Sequence, residues 1–149
     1  MGRCIETGRI IGQACGVLAE VINGLQDFHY GDWQWKGHDE VKEAWPDLYS
    51  AWFTAPHLVR IPNGESLQDL IVRVADGMRF VLQRHPDEVV VLVGHDSVNR
   101  ALLLQLLDQP LTAFWRLSQD PCALNEIDIE ASRVRVRKIN ETEHLRPID

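Results

Sequence analysis

The sequence has 149 residues, 45% of them hydrophobic, and a formal net charge of -7 with a pI near 5.3. That length supports one domain, residues 1–149, with a sizeable core, and the acidic balance argues against general affinity for nucleic acid or anionic membranes. Cys4, Cys15 and Cys122 are widely spaced, with no CxxC pair and no signal-peptide pattern, so a reduced, cytoplasmic setting is expected; the longest apolar window is broken by Gly94, His95, Asp96, Asn99 and Arg100, so no membrane span is expected.

Residues 4–21 read as a helix whose apolar face includes Ile5, Ile11, Cys15, Leu18 and Val21. Gly8, Gly12 and Gly16 recur on one side of it, each costing about 1 kcal/mol against alanine, and predict a smooth stripe that lies close to a sheet. Residues 21–35 suggest a short strand running into a loop. Residues 39–53 are weakly helical and interrupted by Pro46, and TAPHLVRIPNGES (54–66) reads as loop.

Regular patterning returns at Ser66. With Asp69 three residues on it resembles a capping box, and Leu67, Leu70, Ile71, Val74, Met78, Val81 and Leu82 keep helical spacing until Pro86. Val89 to Val93 is a continuous β-branched and apolar run, the mark of a strand buried on both faces, and a further helix begins near Ser97. Helix, buried strand and helix predict an α/β fold: three layers, helix/sheet/helix, around a mostly parallel sheet. LNEIDIE (124–130) and RVRVRKI (133–139) alternate apolar and polar residues and predict an antiparallel hairpin at the sheet edge, before a frayed terminus.

His95 stands at the carboxyl end of the predicted strand, where open α/β sheets place ligands, and at the start of a helix whose free N–H groups suit an anion. A histidine merely satisfied at a tight turn explains that position equally well. Ser97 is not in a G-x-S-x-G elbow, which argues against a serine hydrolase. His29, His38, His57, His85, His95 and His144 lack zinc-like spacing, so no metal is expected, and nothing points to an organic cofactor.

VVLVGHDSVNRALL (90–103) resembles the second histidine motif of the histidine phosphatase superfamily, in its phosphoglycerate mutase-like branch: a strand ending in Gly-His, then a helix with an arginine, here Arg100. GRCIETGRI (2–10) is similar to the family's Arg-x-x-x-Thr helix start, LQDFHYGDW (25–33) to its Leu-x-Glu-x-x-x-Gly-x-Trp segment, and PNGESLQDLIVRV (62–74) to its Gly-Glu-Ser helix start. The resemblance implies that Arg3 binds phosphate, that His95 grips the transferring phosphoryl group and that Asp27 is the general acid. These roles answer what phosphoryl transfer to a histidine needs: positive charge around the phosphoryl oxygens and an acid for the leaving alkoxide.

The sequence departs from the family in three respects. Asp27 stands where the resemblance calls for glutamate, and Asp96 brings a negative charge where it calls for a small residue. The third departure is that no Arg-His-Gly occurs in the 149 residues, whereas the family opens with a strand bearing that motif, whose histidine is the nucleophile, and then a second strand. Losing two interior strands implies exposed apolar faces and unpaired edges, and the chain as written is expected to be inactive. A late start or shortened chain, a natural remnant, and strands supplied by a partner chain such as a homodimer all remain open.

Asp96, Ser97, Arg100, Trp33 and Arg60 are the candidate substrate-binding residues. Ser97 donates to a phosphate oxygen or caps its helix. Trp33, Trp35, Trp45, Trp52 and Phe53 either line an apolar pocket or cover the open end of the sheet, with Lys36, His57 and Arg60 placed to meet a second anionic group. The expected ligand is a small phosphorylated substrate. The implied activity is a phosphomonoesterase rather than a mutase, since the insertion is short and the mutase-like pattern survives only as DFHYG (27–31). A noncatalytic phosphate-ligand or interaction domain is the alternative.

Overall fold

The computed structural model describes residues 2–130 and 133–146. Its α-helices among the described residues are α1 (Gly2–Cys15), α2 (His38–Ala44), α3 (Pro46–Thr54), α4 (Leu67–Arg84) and α5 (Asp96–Leu106). The one sheet among the described residues is the antiparallel hairpin of β1 (Leu124–Glu130) and β2 (Arg133–Glu141), with Ile127 opposite Val136 and Ile129 opposite Val134.

α4 follows its sequence pattern. The Ser66 hydroxyl accepts from the Asp69 N–H while the Asp69 carboxylate accepts from Ser66 N at 2.8 Å, a reciprocal cap worth about 1 kcal/mol. Its buried Leu67, Leu70 and Val74 share one core cluster with Val98, Ala101 and Leu104 of α5. Pro46 opens α3 at a first-turn position, where its missing N–H costs nothing.

α1 stops at Cys15 rather than running to 21. Gly16 takes φ +70, and the hydrogen bonds Val17 N→Gly12 O and Gly16 N→Gln13 O close a Schellman turn. The expected glycine stripe is therefore shorter than its spacing suggests: Gly16 ends the helix, while Gly8 lies between Ala19 and Val93 and Gly12 sits against the Val17 carbonyl. Residues 21–35 form no strand but two single-turn 3-10 helices, Asn23–Leu25 and Gly31–Trp33.

The expected parallel sheet is not formed among the described residues. Val89 to Val93 makes no ladder hydrogen bonds, and Val89 is 98% and Val91 61% exposed. Val17, Leu18 and Val21 are similarly bare, Leu18 being 99% exposed. A buried strand needs a neighbour on each edge and a layer on each face. Here α1 touches one side of the run through Gly8 and Val93, and no strand lies beside it. The C-terminal hairpin formed as expected, but without a parallel sheet to flank.

Candidate active site

The head of α5 organises the site. His95 is its N-cap residue, in an extended conformation and buried, and the N–H groups of Asp96, Ser97 and Val98 follow in the first turn, where a helix leaves donors without internal partners. Arg3 reaches it from the first turn of α1, where the Cys4 thiol donates to the Gly94 carbonyl at 3.4 Å. Asp27 reaches it from the loop after the first 3-10 turn.

These three side chains converge on one atom. Arg3 Nη2 is 3.0 Å from His95 Nδ1, Asp27 Oδ2 is 3.1 Å from the same nitrogen, and Arg3 and Asp27 are 3.9 Å apart. Nδ1 accepts from Arg3 only with its lone pair free, and donates to Asp27 only with a proton. Burial holds the His95 pKa below its ordinary value, with Asp27 opposing and Arg3 reinforcing the shift. A neutral ring with Nδ1 unprotonated, accepting from Arg3, agrees with that direction.

The Asp27 loop is held by a residue that the sequence analysis missed. Arg73 of α4 binds Glu65 bidentately at 2.6 and 2.9 Å and donates to the carbonyls of Gly24, Gln26 and Asp27 at 3.0, 2.7 and 2.9 Å. Burial alone would raise the Glu65 pKa, but the Arg73 bonds and the His29 N–H outweigh it and hold the carboxyl below the usual range. Gly24 lies so close to α4 that a Cβ there would sit 2.7 Å from the Arg73 carbonyl. The contacts of Arg73 to Gly24, Gln26 and Asp27 leave no local pattern, because those partners lie on a separate segment; Glu65 and Arg73 both fall within the segment of the Gly-Glu-Ser resemblance.

Ser97 is fully buried, and its hydroxyl lies 3.0 Å from the Tyr30 hydroxyl and 3.3 Å from Asp96 Oδ1. Burial, aided by the Asp96 charge, pushes the Tyr30 pKa up to about 12, so the phenol stays neutral at ordinary pH. Arg100 is 9% exposed and stacks over Trp115 at 4.8 Å. It reaches Asp96 Oδ2 and the Phe114 carbonyl only at 3.5 Å, and its Nε has no partner. The Asp96 carboxylate is thus tethered to Arg100, with which it shares the first turns of the helix.

An open cavity of about 460 Å³ adjoins this cluster through Asp96 and Tyr30. Trp33, Tyr49, Trp52, Phe53 and Trp115 supply its aromatic lining, with Trp35 and Lys36 also bordering it. Of the residues expected around a pocket, Trp33, Trp35, Trp52, Phe53 and Lys36 are there. Trp45 instead packs against the core, and Arg60 is not brought to the cavity: its guanidinium pairs with Asp69 at 2.7 Å and reaches Ser66 and the Gly64 carbonyl. His57 also stands apart from the lining, its Nδ1 buried without a partner. Among the described residues no cluster of histidine, cysteine and carboxylate side chains has the makings of a metal site, and no helix is long and apolar enough to cross a membrane.

Comparison with known proteins places this geometry in a family. YhfR of Bacillus stearothermophilus superposes with a TM-score of 0.91 at 26% identity, covering 97% of this chain and 72% of that one. Phosphoserine phosphatase 1 of Hydrogenobacter thermophilus is 33% identical over 119 residues, 80% of this chain but only 56% of the relative. The adenosylcobalamin/alpha-ribazole phosphatase of Escherichia coli is 24% identical over 138 residues, 93% of this chain and 68% of the relative. The chain therefore spans between half and about two thirds of the length of these two curated relatives. The model of the histidine phosphatase superfamily, branch 1, matches residues 1–142, and the chain belongs to that superfamily.

Proposed function

We propose that these residues form the phosphate-gripping part of a phosphomonoester hydrolase. The observation that carries this reading is the convergence of Arg3, Asp27 and His95 at the head of α5. A phosphoryl group seated there draws Arg3 off Nδ1, accepts from the first-turn N–H groups, and by its negative charge favours the imidazolium form of His95. In the full catalytic unit an imidazole outside these 149 residues attacks phosphorus. The new P–N bond forms as the ester P–O bond breaks, Asp27 delivers a proton to the departing alkoxide, and water then releases phosphate.

The bared faces of Val89–Val93 and Val17–Val21 support a unit completed by further strands, from the same polypeptide or from a second copy in a homodimer. Completed in that way, the fold is a three-layer helix/sheet/helix with a mostly parallel sheet, and the cytoplasm is the compartment that suits its free thiols. The second reading, a noncatalytic phosphate-ligand domain, draws on the same cluster, since Arg3, His95 and the head of α5 can hold a phosphate without turning it over. Assay of p-nitrophenyl phosphate hydrolysis bears on both. The 149-residue chain is expected to show no turnover above background, and turnover that disappears in His95→Ala overturns the requirement for an outside nucleophile.

A further inference from the structure

We propose that the aromatic cavity beside Asp96 is the leaving-group site, and that it selects phosphomonoesters of uncharged, planar aromatic alcohols over those carrying a carboxylate close to the ester. The inference rests on the phosphate reading of His95 and adds to it the chemical class of the rest of the substrate.

Two features carry it. The first is Trp35. It is 95% exposed and holds φ +67, the left-handed region that bulky side chains rarely occupy. Backbone strain there costs on the order of 1 kcal/mol or more, and an exposed indole recovers nothing by burial. Folding therefore does not account for Trp35, whereas a flat ring entering the cavity that it borders gives the indole a stacking partner. The remaining lining is of the same kind: faces and edges of Tyr30, Trp33, Tyr49, Trp52 and Trp115, in a volume of about 460 Å³ that far exceeds a phosphoryl group.

The second feature is the sign of the charge at the root of the cavity. Its charged lining residues are Asp96 and Lys36, and Asp96 directly follows His95 in the chain. Its carboxylate is about half exposed and its partner Arg100 is 3.5 Å away, so the charge is incompletely neutralised. A substrate carboxylate within a few bonds of the ester oxygen meets that charge, and a neutral ring does not.

Calorimetric titration of the chain with three probes tests this: inorganic phosphate, phenyl phosphate and O-phosphoserine. Phenyl phosphate is expected to bind about tenfold more tightly than either of the others, the equivalent of about 1.4 kcal/mol. Trp35→Ala is expected to bring phenyl phosphate down towards inorganic phosphate. Equal affinity for the three probes, tighter binding of O-phosphoserine, or an undiminished preference in Trp35→Ala overturns the leaving-group assignment while the phosphate site stands. If none of the three binds, the phosphate reading falls and this inference falls with it.

Discussion

Arg73→Met is expected to destabilise the fold by roughly 3 kcal/mol and to weaken phosphate binding at the same time. Methionine keeps the apolar stem but abandons Glu65 and three loop carbonyls, all in one mostly buried network. Breaking a buried ion pair from one side leaves the other charge without compensation, which usually costs about 3–5 kcal/mol; partial exposure lowers that range here. The loop that this arginine fixes carries Asp27, so the effect reaches His95 through position and not through contact.

The pH dependence follows from Glu65. Its folded pKa is depressed, so its contribution to stability is fully present above the ordinary carboxylate pKa and is lost as pH falls through the folded value. Urea unfolding across the acid range checks both points: the wild type should lose stability on acidification more steeply than Arg73→Met. A variant of wild-type stability with unchanged phosphate affinity would show that the latch holds nothing.

Trp52→Ala is expected to cost about 3–5 kcal/mol, enough to unfold much of a marginally stable domain. The indole is 3% exposed and stacks on Phe28 at 5.4 Å, with edge contacts to Trp33 at 6.3 Å and Trp115 at 5.6 Å. Its backbone carbonyl also accepts from Trp115 Nε1 at 2.6 Å, and that bond loses its setting when the ring is removed. The same side chain is both core and cavity wall. Near-ultraviolet circular dichroism through a urea series reads the loss, and Trp52→Phe should recover part of it. A midpoint unchanged in the alanine variant would contradict this packing account.

What the sequence made legible was what local physics decides. Ser66 and Asp69 cap their helix with groups three residues apart, and β1 and β2 pair through an alternation that each strand carries within itself. His95 was legible as a helix-head residue because an apolar run stops at Gly94 and a helical period starts after it. Val89–Val93 reads from its composition as a strand of a parallel sheet, but pairing depends on neighbours, and no strand of the described residues lies alongside. Gly16 misled because a glycine at helical spacing looks the same whether it lines a face or takes the left-handed turn that ends the helix.

The site divides along the same line. Arg3, Asp27 and His95 were named from ordered motifs, and the fold brings them within hydrogen-bonding or ion-pairing range of one another. Arg73, Tyr30 and Trp115 were missed because their partners lie far along the chain. Arg60 was assigned to substrate from charge alone, and the fold gives it a nearer partner in Asp69.

The most direct test of the phosphate-gripping site is titration of the chain with inorganic phosphate followed by phosphorus NMR, in wild type, His95→Ala and Arg3→Ala. Each variant loses a charged or charge-assisted bond worth about 1.5–3 kcal/mol, so binding should weaken at least about tenfold in both. Phosphate binding of equal strength in all three proteins would contradict the assignment of His95 and Arg3 to the phosphoryl group.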